Sequence, residues 1–327
     1  MNSKISVIIP VYQEESGILR RAIRSVCAQA GVSDVEVIVV DDGSRVPASE
    51  DVRGLTIPSH ISLRILEQNN AGPGAARNKG LDGVGNDTRY VAFLDSDDEW
   101  TPDHLCRAVA TLRRGYDFYF SNYFETGQQI SAIERNKQID IWSHPRITGL
   151  HDIHEYCGDF FSQQFMRPVT CTSTVVYRYT NFRGLRFSEK LIYACEDKFC
   201  WLQIAATKPR IAFSSRPECR AGRGANIYYG TKWGTAKALK VLYCNALYNK
   251  EVEKEYNLDD KLKAFNRRQL KGVRQNFVSS LLHVVMEGKK LDLRFVFYFF
   301  VKDPTSIFVL FLVASRIIAR KIRSRNT

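Results

Sequence analysis

The chain has 327 residues, 44% of them hydrophobic and 25% charged, with a formal net charge of +12. That balance excludes a disordered chain, and the length is enough for one large domain or two modest ones, each with its own core. The charge is uneven: from Lys289 to Thr327 nine Lys/Arg face two Asp, a surplus of +7 in 39 residues, which points to an anionic partner for the tail.

Ile5–Val11 is an apolar run ending at Pro10-Val11 and reads as a buried strand. Ser16 offers an N-cap to a helix whose apolar positions recur at Ile18, Leu19, Ala22, Ile23 and Val26. Val35–Val40 is a second strand, cut off by Asp41-Asp42-Gly43-Ser44, and Leu63–Leu66 a third. Ala71-Gly72-Pro73-Gly74 is a turn that opens a helix at its proline. Tyr90–Leu94 is a fourth strand running into Asp95-Ser96-Asp97-Asp98, and Thr101-Pro102-Asp103 starts a helix. Alternating strands and helices predict a parallel sheet covered on both faces, with ligands outside the carboxyl ends of its strands. Residues 115–230 mix short strands and loops. Helices are expected over 231–250 and 259–288, then two apolar segments, Phe295–Val301 and Ile307–Ala319, split at Lys302-Asp303-Pro304.

The eight cysteines are scattered without C-x-x-C spacing, and Met1 leads almost directly into a strand with no signal peptide, so a reduced, cytosolic protein is expected. The histidines form no metal-like cluster; His151 and His154 lack a third partner and read as ordinary polar residues.

Three carboxylates at one strand end repel each other unless a cation joins them. Hard oxygen ligands there suit Mg2+ or Mn2+, which would also bridge a diphosphate. Taken alone, the triplet reads sooner as a solvated acidic loop capping the next helix, and Asp41-Asp42-Gly43-Ser44 as readily as a plain turn. A Gly-rich turn at 71–74, followed by Arg77 and Lys79 on a helix, suits phosphates without matching the usual phosphate-loop fingerprints.

Taken in order, Ile5-Ser6-Val7-Ile8-Ile9-Pro10-Val11-Tyr12, Asp41-Asp42-Gly43-Ser44, Gly74-Ala75-Ala76-Arg77-Asn78 and Asp95-Ser96-Asp97-Asp98 closely resemble family-2 glycosyltransferases of the GT-A fold. The resemblance is strong over residues 1–110 and thinner to about 230. It implies an α/β, Rossmann-like nucleotide-binding sheet with flanking helices. A catalytic domain would then cover 1–230, with a donor half over 1–110 and an acceptor half over 111–230, followed by a helical extension over 231–327. Carried over by position, Pro10, Val11, Tyr12 and Glu14 would line the nucleotide pocket. Asp42 would hold the base, with Arg77 near it. Asp95 and Ser96 would meet the ribose or sugar, and Asp97, with Asp98 as second choice, would bind Mn2+ or Mg2+. In Glu196-Asp197 the resemblance implies the general base, Asp197, with Glu196 orienting the acceptor; a helix-N-terminal acidic pair is the plainer reading. Arg220 or Arg223, in a basic Gly-rich loop, would reach the pyrophosphate.

Ile307–Ala319 is too short to span a bilayer, which takes about 20 residues, and joining it to Phe295–Val301 would bury Lys302, Asp303 and Pro304 at mid-span. A helix pair lying on an anionic membrane, anchored by Arg320, Lys321, Arg323 and Arg325, is expected; a core helix packed on the catalytic domain is the other reading. Nucleic acid is a poor partner for so aliphatic a tail. The resulting expectation is an inverting enzyme moving a sugar from a nucleotide-diphosphate donor, UDP being the expected nucleotide, to a polyprenyl-diphosphate-linked saccharide. It would work in bacterial surface-polysaccharide assembly, peripherally bound to the inner face of the cell membrane. The contrasting expectation is a non-catalytic nucleotide-sugar-binding scaffold.

Overall fold

The computed structural model describes residues 3–222 and 231–323, with 314 and 316–323 described by backbone alone. The chain divides into two compact units: one comprises residues up to Ile192 and Glu196–Asn226, the other Tyr193–Cys195 and everything from Ile227 onward.

Among the described residues the first unit is built on nine strands: β1 (Ile5–Val11), β2 (Val35–Asp41), β3 (Ile61–Glu67), β4 (Tyr90–Phe93), β5 (Glu99–Trp100), β6 (Phe118–Phe124), β7 (Ile153–Glu155), β8 (Val176–Arg178) and β9 (Ile211–Arg220). Its helices are α1 (Ile18–Cys27), α2 (Ala48–Asp51), α3 (Pro73–Asp82), α4 (His104–Leu112), α5 (Ala132–Asn136), α6 (Phe160–Met166) and α7 (Glu196–Ala206). The strand order is β3-β2-β1-β4-β8-β6-β9-β5, with β7 paired to β9.

The sheet is mixed, where a parallel one was expected. β3, β2, β1 and β4 are parallel, but β8 runs antiparallel to both β4 and β6. The reason lies in the connections. The first four strands are joined through α1, α2 and α3, whose crossovers bring the chain back in the same direction. The chain from Phe124 to Val176 wanders through short helices and loops instead, so β8 is free to enter reversed.

All seven residues of β1 are buried, as a strand covered on both faces requires. Alternate residues feed opposite cores: Val7, Ile9 and Val11 join one cluster, Ile8 the other. Pro10 is tolerated in this central strand because β4 pairs only as far as Ile8, so no ladder bond is lost where its N–H is missing. α3 lies very close to β1. A Cβ on Gly80 would sit 2.4 Å from Ile8 Cγ2, so only glycine allows this approach. Ser16 is not the cap of α1. Gly17 takes that position, and the Asp51 carboxylate accepts from the Gly17 and Arg20 N–H groups at 2.6 and 3.2 Å.

The second unit is helical: α8 (Ala236–Glu255), α9 (Asp260–Met286), α10 (Leu293–Lys302) and α11 (Thr305–Arg323). Thr235, Asp259 and Asp292 cap the first three, each accepting the backbone N–H of the third helical residue. Phe299 is buried and stacks on Phe277 at 3.6 Å. Among the described residues no single helix is long and apolar enough to cross a membrane. α10 and α11 pass that test together, but they are bent by 115° at Asp303-Pro304. Among the described residues no cysteine is disulfide-bonded.

Candidate active site

The strand order turns over between β1 and β4: the chain builds outward from β1 through β2 to β3, then returns to the other side with β4. Such a switch point leaves a crevice beyond the carboxyl ends of the two strands. The crevice is opened by the early departure of β4. Its last ladder bond, Leu94 N–H to Ile8 O, comes three residues before β1 ends, and the chain then turns at Asp95-Ser96-Asp97-Asp98. The acidic turn therefore lies at the place where an open α/β sheet binds ligands.

Ser173 pins this turn. Its hydroxyl accepts from the Asp95 N–H at 2.9 Å, and its carbonyl accepts from the Trp100 indole at 2.5 Å. Nothing in the local sequence around Thr172-Ser173-Thr174 signals this, because the partner is 78 residues away. Asp98 is buried, and its Oδ1 accepts from the Gly222 N–H at 2.8 Å. Burial, then the charges of Asp95 and Asp97, push its carboxyl up to about 8. The expected second-choice ligand is thus turned into the fold, where it holds the chain beyond β9, while Asp95 and Asp97 remain partly accessible. Gly222 lies flat against the turn; a Cβ there would fall 1.8 Å from Asp97 O.

Arg77 joins the distant motifs. The first turns of α3 carry it beneath the crevice, where it is buried. It donates to Asp95 Oδ1 through Nη2 at 2.7 Å and to Glu196 Oε1 through Nη1 at 3.0 Å. Its guanidinium lies 5.1 Å from the Phe187 ring centroid. The two carboxylates raise its pKa further against the opposing effect of burial. Aromatic packing makes this reach possible: Phe93, at the end of β4, meets Phe187 and Trp201 edge-on at 5.2 and 5.7 Å. Trp201 sits on α7, so α7 is welded to the end of β4 and its first residues, Glu196 and Asp197, arrive beside Asp95. Glu196 is buried, and burial followed by the adjacent Asp197 charge raises it to about 7, with Arg77 opposing. Asp197 is partly accessible in the first turn of α7, its Oδ1 accepting from the Lys198 N–H at 2.7 Å. Asn78 completes the frame. It donates to Phe187 O and Glu189 Oε1 and accepts from the Phe187 N–H.

Other expected residues fall into two groups. Asp42 is buried and committed to the backbone. Its Oδ1 accepts from Gln68 Nε2 and the Ala71 N–H, and its Oδ2 from the Gly72 N–H, at 2.7 to 2.9 Å. It shapes the Gly-rich turn before α3, with little acceptor capacity left for a base. Asp41 does the same for Ser44 and Ala48. Pro10 and Val11 are buried in β1, whereas Tyr12 (43% exposed) and Glu14 face solvent beyond it. Arg77 does not lie free for a base; both its terminal nitrogens are taken by carboxylates. Ser96 is half-buried in the acidic turn. Arg223 lies outside the described residues, and so do Arg325 and the side chains of Arg320, Lys321 and Arg323; Arg220 is exposed, its guanidinium 5.6 Å from the Phe124 ring. His154 packs on Phe213 and bonds to His144 O, as an ordinary polar residue would.

Sequence reasoning also passed over Glu218. Its fully buried carboxylate accepts from Tyr119, Arg107 and His104 between β6, β9 and α4. Against burial, the hydrogen bonds and charge interactions of His104 and Arg107 hold its carboxyl below the usual range. This network carries the framework under Trp100, whose ring lies 4.7 Å from that of His104.

The donor set fits a divalent cation of the kind that keeps most of its shell from substrate phosphate and water: one or two accessible carboxylates, Asp97 and Asp95, in a turn with surplus negative charge. Among the described residues no three His, Cys, Asp or Glu side chains already converge as a complete metal cage.

Comparison with known proteins gives the family and the fold. The family model for glycosyl transferase family 2 matches residues 6–187, more than half of the chain. The succinoglycan biosynthesis protein ExoW of Rhizobium meliloti is 33% identical over 247 residues, covering 73% of this chain and 75% of that protein. The minor teichoic acid biosynthesis protein GgaA of Bacillus subtilis is 31% identical over 202 residues, 58% of this chain but only 42% of that one. Two solved structures share the fold. S. aureus TarS 1-349 in complex with UDP-GlcNAc has a TM-score of 0.53 at 20% identity, covering 86% of this chain and 72% of that chain. The mannosyltransferase PcManGT from Pyrobaculum calidifontis, in complex with GDP-Man and Mn2+, has a TM-score of 0.56 at 14% identity, covering 96% and 86%. With a mixed α/β sheet flanked by helices, acidic residues at its switch point and this family match, the chain belongs to glycosyl transferase family 2 and is a glycosyltransferase.

Proposed function

We propose that the enzyme transfers one sugar, with inversion, from a UDP-sugar to a polyprenyl-diphosphate-linked saccharide during bacterial surface-polysaccharide assembly, at the cytoplasmic face of the membrane. The observation that carries this reading is the Arg77 bridge, which draws the acidic turn and the Glu196-Asp197 pair into one site. The names of ExoW and GgaA support the polysaccharide context, and the UDP-GlcNAc complex of TarS supports a UDP-sugar donor.

In this reading Tyr12 and Glu14 edge the nucleotide site at the end of β1. Asp95 and Ser96 meet the ribose or sugar, and Asp42 shapes the wall of the base pocket through the backbone it holds. Asp97, with Asp95, would hold Mn2+ or Mg2+, which when bound would neutralise charge on the departing diphosphate. Asp197 accepts the proton of the acceptor hydroxyl. The oxygen then bonds to the anomeric carbon as the bond to the diphosphate breaks on the opposite side, and the configuration inverts. Glu196, fixed by Arg77, orients the acceptor. The catalytic domain ends near 230, and the helices beyond it supply membrane association.

Calorimetric titration of UDP with Mn2+ and with chelator tests this. Metal-dependent binding is expected, lost in Asp97→Ala. Asp197→Asn should keep binding and lower transfer by roughly 10²- to 10⁴-fold. Absence of binding for every nucleotide diphosphate, with and without metal, would overturn the reading.

A further inference from the structure

Leu293–Val313 would make an apolar helix of about 31 Å if it were straight, the thickness of a bilayer's hydrocarbon core. It is not straight, and the bend is built in. Pro304 interrupts the helical ladder, and the Asp303 carboxylate is gripped from three sides. Arg274 donates to it through Nε and Nη2 at 2.7 and 2.8 Å, Lys250 Nζ lies at 2.7 Å, and Ser306 Oγ donates at 2.5 Å. Lys250 also donates to Lys302 O at 2.7 Å. The vertex therefore belongs to the protein, clamped onto α8 and α9.

The arms differ from the vertex. Leu293, Phe297 and Val301, at i, i+4 and i+8 of α10, are 72%, 71% and 55% exposed. Phe308, Phe311 and Leu312 form a second exposed stripe on α11. The opposite side of α10 is satisfied by Phe299 in the core, so among the described residues the exposed stripe has no internal partner to serve. Lys289, Lys290, Arg294 and Lys302 are exposed around these stripes, and the sequence after them adds five more Lys/Arg. A second copy docked on this surface would set like charges against each other; an anionic surface would neutralise them.

We propose that α10 and α11 are the two arms of an in-plane anchor that docks on an anionic lipid bilayer within one leaflet, its bend locked to the protein by Asp303. This rests on the membrane association proposed above and specifies its geometry. α10, at about 15 Å, reaches half the hydrocarbon thickness, and the clamp prevents the two arms from joining into one span.

Sedimentation of the full chain with phosphatidylcholine vesicles should show at least tenfold tighter binding when they contain phosphatidylglycerol, weakening with salt. Phe297→Trp and Phe308→Trp, corrected for wild-type fluorescence, should both be quenched by lipids brominated near the headgroup and little by lipids brominated near the chain ends. Phe297→Ser with Phe308→Ser should lose at least tenfold in vesicle binding at unchanged helicity and melting temperature. Binding to no vesicle would overturn both the membrane association and this inference. Binding with deep quenching at either tryptophan would overturn the in-plane geometry alone. A dimer that the double serine variant dissolves, with no vesicle binding, would assign the stripes to a second copy.

Discussion

The two units each contain a buried arginine–carboxylate junction, and the two are opposite in balance. In the helical unit one carboxylate, Asp303, is met by Arg274 and Lys250, and they pull its carboxyl down to about 2. In the sheet unit one arginine, Arg77, faces Asp95 and Glu196 with Asp97, Asp98 and Asp197 close by, and Glu196 and Asp98 are pushed up to about 7 and 8. A junction whose only task is to hold helices is neutralised by its own residues. The acid-rich junction is the one at which the proposed function puts a cation and a diphosphate substrate to complete the charge balance. On the proposed function, the surplus is a cost in stability carried at a functional site.

The largest effect expected from perturbing this contrast is on Arg77. Arg77→Ala leaves Asp95 and buried Glu196 without their counter-ion and should cost about 3–5 kcal/mol, read by urea unfolding at pH 7.5. A loss under 1 kcal/mol would mean that the bridge is not what holds α7 to the acidic turn. Asp303→Asn should cost about 2 kcal/mol at neutral pH, from the downward shift of the buried Asp303 carboxyl.

The sign of the pH dependence separates the junctions further. Asp303 has a depressed native pKa, so its contribution is present above the unfolded value near 4 and is lost as pH falls towards 2. Glu196 has a raised native pKa, so the folded state holds its proton more tightly; stability is greater at pH 4.5 and declines as pH rises through 7. Wild type minus Asp303→Asn should therefore shrink on acidification, while Glu196→Gln should flatten the decline between pH 4.5 and 7. Equal slopes in both variants would erase the distinction drawn here. The smallest effect is expected at Ser173. Ser173→Ala removes the acceptor for the Asp95 N–H and should cost about 1 kcal/mol, with weaker metal-dependent UDP binding if the turn loosens.

The parallel core, the turn at Asp95–Asp98 and the interruption at Asp303-Pro304 were legible in the linear chain, because each rests on local rules. Unbroken apolar runs make strands covered on both faces, acidic residues end them, and proline breaks helices. Even there, the carboxylates read as site residues divided once they were packed: Asp98, expected at the metal, and Asp42, expected at the base, hold backbone, and Asp97 and Asp95 stay within reach of solvent. The reversed entry of β8, the role of Ser173 and the buried Glu218 network could not be read locally, since each depends on partners far along the chain, 78 residues for Ser173–Asp95 and 114 for His104–Glu218. The same holds for Arg77. Its residue type and its place after a Gly-rich turn follow from the chain. That it serves Asp95 and Glu196 was decided by Phe93, Phe187 and Trp201, whose packing brings α7 against the end of β4. Side-chain volume and distance, which have no expression in a linear order, made that choice.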